Sequence, residues 1–510
     1  MPAIGDLLAR AAKAHGDRVA ISDAKRSLTF QSLDDRSNRI ANWLLATGIP
    51  VQSRVAVLRP NSLGFVEDEF GLLKAGMTEV LLNPRLSAIE QRKIVDDAGV
   101  AAILAAPELS VRAAELGRAG SVQLVLSDDD EREAHLLAAS PVRSRQPSIA
   151  MDSLWRLHYT SGTTGDPKAA VLTQSNFVHW IQSLYNTMGP VTVGDVLLNA
   201  APMATAGSWI FWGHYLAGAR SRLLARFDPG EFIEAAFREN ATSTLLVPTM
   251  IYDLVDAICG GGDRPQFQTI LYAAASIAPT RLALALETLG PVFVQSYSMS
   301  ETMTSLAVLS KSDHVSADPE RLASAGLPMF DVDIRLLDEV GEEVDDGQPG
   351  RVVAKTDALM REYWRRPEQT RETIRDGWLY SGDVGRFIDK GYLQIVDRLG
   401  DVLVTGGYNV YPREIEDVLM NHPAVLEACV VGVPDKRFGE AVKGVVRLRP
   451  GAIAAEAELI DWCRSLSGFK VPKTIDVVDE PLPRNPAGKV LRRRVREGYS
   501  GEPAGMGPNA

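Results

Sequence analysis

Residues Tyr159-Thr-Ser-Gly-Thr-Thr-Gly-Asp-Pro-Lys168 combine small hydroxyl side chains, two glycines and a closing lysine. That composition suits a grip on the polyphosphate of a nucleotide. Glycines bring backbone N–H groups close to phosphate oxygens, hydroxyls donate further bonds, and an ammonium balances the charge. The spacing does not match the G-x-x-x-x-G-K-[ST] pattern of a Walker A loop. By itself the stretch is equally compatible with a Gly/Thr turn between two strands. Its companions along the chain decide between these readings.

Working outward, residues 36–110 alternate helical patterns (37–47, 64–75, 89–98) with short apolar runs at 55–58 and 80–82, the mark of α/β layers. The alternation resumes with runs at 243–247, 269–272 and 292–295 and a helix-like 249–258. Residues 332–337 and 351–354 flank an acidic, Gly-containing turn and read as antiparallel β structure. Beyond Arg398 the pattern changes to a small unit: a helix at 412–420, strands at 426–433 and 441–447, and a helix around 456–465. The spacing therefore predicts an α/β protein with a large N-terminal domain (1–399), a small α+β C-terminal domain (400–498) and a flexible tail (499–510) rich in Gly and Pro.

Composition narrows the function. The 510 residues are 45% apolar and 23% charged, as in soluble globular proteins. No run of about 18 or more apolar residues suggests a transmembrane helix. The first 20 residues carry Asp6, Arg10, Lys13 and Asp17 and read as an amphipathic surface helix rather than a signal peptide. Cys259, Cys429 and Cys463 lack metal-ligand or CxxC spacing, which points to a reduced, cytoplasmic setting. Seven scattered histidines form no close pair, and a net charge of −11 disfavours general nucleic-acid binding.

Four further segments carry chemistry. Gln295-Ser-Tyr-Ser-Met-Ser-Glu301 follows an apolar strand pattern; its ring suits a base and its glutamate an Mg²⁺ ligand. Gly377-Trp-Leu-Tyr-Ser-Gly-Asp383, with Asp397-Arg398 beyond it, offers a carboxylate for two ribose hydroxyls and a supporting guanidinium. Thr405-Gly-Gly-Tyr-Asn-Val-Tyr-Pro412 is a glycine turn feeding a helix. Pro483-Arg-Asn-Pro-Ala-Gly-Lys489 sets one lysine on a Pro/Gly loop before the basic run Arg492-Arg-Arg494, and a basic run is usually a solvated face.

Together, in this order and across nearly the whole chain, the five segments resemble the adenylate-forming superfamily of acyl-CoA synthetases, adenylation domains and beetle luciferases. The resemblance implies ATP, Mg²⁺ and CoA as co-substrates and cofactors. It implies an acyl-adenylate made with release of pyrophosphate, then transfer of the acyl group to the CoA thiol. By similarity, Thr160, Ser161, Gly162, Thr163, Thr164, Gly165 and Lys168 hold the β- and γ-phosphates. Ala274, Ala275, Ser296 and Tyr297 lie at adenine, Ser300 at the α-phosphate and Glu301 at Mg²⁺. Asp383 and Arg398 take the ribose, and Lys489 is the adenylation lysine. Gly400 falls at the family's hinge. Gly406, Gly407, Arg437 and Lys443 are candidates for CoA.

Several positions depart from the family's pattern. Ala169 follows Lys168 where glycine is usual, Ala273-Ala274 replace a Gly-Gly pair, Ser296-Tyr-Ser298 replaces Gly-Tyr-Gly, and Thr205 stands at a usual histidine. Pocket candidates by resemblance are Thr205, Trp209, Trp212, Tyr252, Ala274, Ser300, Thr302 and Met303. They are mainly apolar or aromatic and include no carboxylate for a substrate amine, which favours an aromatic, alicyclic or fatty acid. Core packing is the other reading of each tryptophan. A carrier-protein phosphopantetheine is the alternative acceptor. A luciferase-like oxygenase and a binding-only relative are further alternatives.

Overall fold

The structure is a computed structural model that describes residues 3–142, 149–160, 167–275, 277–315, 318–405, 408–435, 437–484 and 490–499, with the main chain alone at Thr160. Apart from Tyr499, the expected tail lies outside the described residues. Among the described residues the strands form four sheets. A nine-stranded sheet has a parallel centre (Arg220–Leu223, Val196–Asn199, Ser243–Leu246, Thr269–Tyr272, Phe293–Ser298) and antiparallel edges. A six-stranded sheet is parallel except for its last pair, Leu154–Thr160 against Lys168–Thr173. An antiparallel sheet gathers Asp333–Leu337, Gly350–Lys355, Trp378–Ile388 and Tyr392–Arg398. The fourth lies wholly beyond Gly400, with Val425–Asp435 and Gly439–Leu448 at its centre.

The central strands of the two large sheets are buried on both faces, so Ala102–Ala105 and Ser243–Leu246 carry no alternation for a sequence reader to find. The same enclosure governs the helix Leu63–Lys74. Its apolar residues are buried, and so are Glu67, Asp68, Glu69 and Lys74. Each charge is matched: Glu67 by Arg36 and Arg132, Asp68 by Arg59 and Arg132, Lys74 by Asp34. Glu69 and Glu79 instead share one guanidinium, Arg156, at 3.0 and 2.7 Å. Burial, reinforced by the charge of Glu79, pushes Glu69 up to about 8.

The N-terminal helix is Ile4–His15, with Ile4, Leu8, Ala11 and Ala12 on its buried side. The basic run forms the helix Arg492–Glu497, but Arg492 is no solvated charge. It pairs with Asp401 at 2.6 Å and Glu416 at 2.8 Å, and lies 3.6 Å from Asp397. Asp397 also accepts the N–H of Arg413, in the first turn of the helix Pro412–Met420, and the Arg413 guanidinium donates to the Ile395 carbonyl. The contacts of Asp397 and Ile395 cross the chain at Gly400, which sits in the short turn Leu399–Asp401.

Candidate active site

The Tyr159–Lys168 stretch is a connection between two antiparallel strands, with Thr160 opposite Lys168 in register. The described residues thus show a strand-to-strand connection that ends at Lys168. Ser161, Gly162, Thr163, Thr164 and Gly165 lie outside the described residues. The Tyr159 hydroxyl donates to Asp97 at 2.7 Å.

Lys168 heads a small polar cluster. Its ammonium donates to the Tyr363 hydroxyl at 2.7 Å and lies 3.9 Å from Glu301. The Tyr363 hydroxyl donates in turn to Oε1 of Glu301. Burial lowers the Lys168 pKa, opposed by Glu301 and assisted by the charge of Arg398. Glu301 follows the strand Phe293–Ser298 in a tight turn, where the N–H of Met303, at φ 57°, bonds to the Met299 carbonyl at 2.7 Å. Ser300 is half-buried in the same turn.

A second cluster forms around Asp383. It faces Arg398 across the antiparallel pair Trp378–Ile388 and Tyr392–Arg398, so their ion pair at 3.0 Å follows from register. Gly382, at φ 74°, and a register shift after Val384 bend this strand, and the Asp383 carboxylate is buried. Its other oxygen accepts the Tyr297 hydroxyl at 2.7 Å. Burial, then the neighbouring carboxylate, raises the Tyr297 phenol well above its ordinary range. One short segment joins the two clusters: Tyr297 bonds to Asp383, and Glu301, four residues on, accepts from Tyr363.

Alternation along the strand separates neighbours that the sequence motif grouped together. Tyr297 faces Asp383, whereas the Ser296 hydroxyl points the other way, into a buried chain with Ser305 and Thr187 at 2.8 Å each. The Ser296 side chain is therefore a packing group, and only its backbone faces the site's strand end. Ala274 and Ala275 are exposed, and Ala274 holds φ 74°, a conformation that favours the glycine usual there.

The acyl candidates divide. Thr205 is half-buried at a kink (φ −136°, ψ −120°) in the turn Met203–Gly207, its hydroxyl bonded to the Pro202 carbonyl. Trp209 is buried beside it in sequence, and Met303 packs on the same core cluster. Thr302 is buried, with its hydroxyl on the Met299 carbonyl. Trp212 is fully buried among Phe70, Phe177 and Phe211 and donates to Glu69 at 3.2 Å, which fits the core-packing reading. Tyr252 belongs to a different cluster, accepting from the Ala278 N–H and lying under the Arg281 guanidinium.

Of the CoA candidates, Lys443 is already paired with Asp476 at 2.8 Å, and Arg437 is exposed over the Phe438 ring. Gly406, Gly407 and the adenylation candidate Lys489 lie outside the described residues. A Cβ built on Gly400 meets nothing within 4 Å, so its present conformation does not require glycine. No group of three or more His, Cys, Asp or Glu able to hold a metal occurs among the described residues. No hydrogen bond engages Oε2 of Glu301 there either, so this oxygen fits a cation that is otherwise held by phosphate.

Sequence reasoning missed Tyr363. It stands in Met360-Arg-Glu-Tyr-Trp-Arg-Arg-Pro367, which has no glycine and no motif, and it meets Lys168 across 195 positions. The one local signal is the proline that opens the next helix, Pro367–Thr373, and it says nothing of the phenol.

Known proteins resemble this chain along most of its length. Residues 8–364 match the model of the AMP-binding enzyme family, and residues 414–489 match the AMP-binding enzyme C-terminal domain. A feruloyl-CoA synthase from an Amycolatopsis species is 34% identical over 97% of this chain and 99% of its own. The medium/long-chain-fatty-acid–CoA ligase FadD8 of Mycobacterium tuberculosis is 33% identical over 96% and 89%. The solved structure of the amide bond synthetase McbA from Marinactinospora thermotolerans superposes with a TM-score of 0.87 at 30% identity, covering 98% of this chain and 100% of that one. With an α/β fold of a large N-terminal and a smaller C-terminal part, matched along most of its length, the chain belongs to the AMP-binding enzyme family.

Proposed function

We propose that the chain is an AMP-forming acid–CoA ligase acting on a hydrophobic carboxylic acid. In the first half-reaction a carboxylate oxygen attacks the α-phosphorus of ATP, the bond to the bridging oxygen breaks, and pyrophosphate leaves. In the second, the CoA sulfur attacks the acyl carbon, AMP departs, and the thiol proton passes to solvent. Both partners of the first step are anionic, so the protein's task is alignment and charge neutralisation. In this reading Thr160, Ser161, Thr163, Thr164 and Lys168 hold the β- and γ-phosphates, Ser300 and Lys489 the α-phosphate, and Asp383 with Arg398 the ribose. Bound through Glu301, Mg²⁺ supplies charge neutralisation on the phosphate oxygens. The units 1–399 and 400–498 rotate about Gly400 between the two steps, bringing Gly406 and Gly407 to the pantetheine arm.

The observation that carries the proposal is that the Lys168–Tyr363–Glu301 and Asp383–Arg398–Tyr297 clusters, read as a phosphate end and a ribose end, share the segment from Tyr297 to Glu301. The apolar cluster that holds Trp209 and Met303, and Ala204 and Ala206 on either side of Thr205, supports a hydrophobic acid, and the names of the two CoA-ligase relatives support CoA as acceptor. Acid-dependent exchange of labelled pyrophosphate into ATP, over a panel of aromatic, alicyclic and fatty acids, tests the first step. Mass analysis of product with CoA, and separately with a phosphopantetheinylated carrier protein, tests the second. Absence of exchange with every acid defeats the reading, and acylated carrier without acyl-CoA moves it to the alternative acceptor.

A further inference from the structure

Tyr363 belongs to none of the nucleotide motifs, yet its phenol stands between the two charged side chains on the phosphate side. The Lys168 ammonium donates to its oxygen at 2.7 Å and lies 4.1 Å from its ring centroid. The phenol has a single proton, and that proton goes to Oε1 of Glu301. The order of donation is therefore fixed as ammonium to phenol to carboxylate, and each bond polarises the next. Lys168 and Glu301 stay 3.9 Å apart, at the outer limit of an ion pair.

The phenol is held rigidly. Tyr363 is 1% exposed. Its backbone bridges to Ala170, and the flanking Trp364 N–H and Arg361 N–H bond to Ala169 and Val171 in the strand of Lys168. Its own N–H bonds to Thr370 at 2.9 Å. The Met360 N–H bonds to the carbonyl of Glu301 itself at 2.6 Å. One short segment is thus stitched to both residues whose side chains it separates, which is how a preorganised site is supported.

We propose that Tyr363 is the positioning residue for the phosphate-bound divalent cation. By occupying Oε1 of Glu301 and drawing the Lys168 ammonium onto its oxygen and ring, it prevents the two from closing into a direct salt bridge. Oε2 of Glu301 is left for Mg²⁺, and the ammonium is kept off that carboxylate. The proposal rests on the reading of Lys168 and Glu301 as the pyrophosphate-side pair.

Calorimetric binding of AMP, and of α,β-methylene-ATP with and without Mg²⁺, tests it without turnover. In Tyr363→Phe the tightening that Mg²⁺ gives to the ATP analogue falls by about tenfold, the effect of one hydrogen bond to a charged group. AMP, which lacks the β- and γ-phosphates, binds within about twofold of the wild type, whereas a merely structural role weakens both nucleotides alike. Tyr363→4-aminophenylalanine keeps the ring and a donor to Glu301 and retains most of the Mg²⁺ effect, and it carries the test if Tyr363→Phe fails to fold. An unchanged Mg²⁺ effect in folded Tyr363→Phe overturns the proposal, as does an equal loss in both variants. Glu301→Gln and Lys168→Met are measured alongside. If they too keep the Mg²⁺ effect, the reading of the pair is at fault; if they lose it while Tyr363→Phe keeps it, only the role of Tyr363 falls.

Discussion

Replacing Asp383 with alanine separates the cost to the site from the cost to the fold. The carboxylate is 4% exposed and accepts the Tyr297 hydroxyl at 2.7 Å, with Arg398 at 3.0 Å on its other oxygen. Its removal strands a buried phenol, worth about 1–3 kcal/mol of stability. Arg398, whose side chain is 46% exposed, finds water instead, so that lost pair adds only about 0–1 kcal/mol. The functional loss is larger. Two ribose hydroxyls on one charged acceptor contribute about 3–6 kcal/mol, so ATP affinity falls by about 10² to 10⁴. Asp383→Asn, which still accepts one bond, falls between. The assay is the ATP KM in acid-dependent pyrophosphate exchange, with AMP and pyrophosphate binding measured by calorimetry and the thermal midpoint as a check on folding. AMP binding weakens in parallel with ATP, while pyrophosphate binding holds. An ATP KM within about threefold of wild type in the folded alanine variant refutes the ribose assignment, and so does equal weakening of AMP and pyrophosphate.

Lys489→Ala abolishes adenylate formation, with a loss of at least ~10² to 10³ for one preorganised donor, yet largely spares thioester formation from supplied acyl-adenylate; equal loss in both half-reactions removes Lys489 from its role. Gly400→Pro blocks the rotation, leaving pyrophosphate exchange measurable and stopping acyl-CoA formation, whereas Gly400→Ala, with open space around the added carbon, changes neither. Intact thioester turnover in the proline variant places the pivot elsewhere. Glu69 is held protonated in the fold up to about 8, above its range in the unfolded chain. Its stabilising contribution is therefore complete in acid and is lost as pH rises from about 4.5 to 8. Glu69→Gln, neutral throughout, flattens the fall of the thermal midpoint between about pH 6 and 8; an unchanged slope shows that Glu69 is not the group responsible.

What the sequence revealed follows the physics of each signal. The helix Pro412–Met420 was legible because a proline opens it and its apolar residues recur on one face. Asp383 and Arg398 were legible as motif members, though only register shows that they face each other. The strand Phe293–Ser298 runs three residues further than its apolar pattern, because Ser296 and Tyr297 find partners inside the protein. Glu67-Asp68-Glu69 looks like a solvated helix face and is buried, since the guanidiniums that offset it arrive from Arg36, Arg59, Arg132 and Arg156. Trp212 left both readings open for the same reason: an aromatic at a plausible spacing carries no mark of which side of its helix meets the core. Tyr363 left no signal, because its role exists only where segments distant in sequence converge.

The charges beside Gly400 fall unequally on its two sides. Asp401, Glu416 and Arg492 all lie beyond it and travel together if the C-terminal part turns. Of the groups that Arg413 and Arg492 touch near the pivot, Asp397 and the Ile395 carbonyl lie before it. A rotation there breaks the Arg413 N–H bond, the Arg413 guanidinium bond and the 3.6 Å approach of Arg492. At about 1 kcal/mol for each hydrogen bond and less for the distant ion contact, the catch contributes about 2–3 kcal/mol. That corresponds to a population ratio of about 30 to 200 between the two orientations. A preference of this size is easily reversed by a ligand that binds one orientation more tightly, so occupancy of the nucleotide site can decide which way the C-terminal part points.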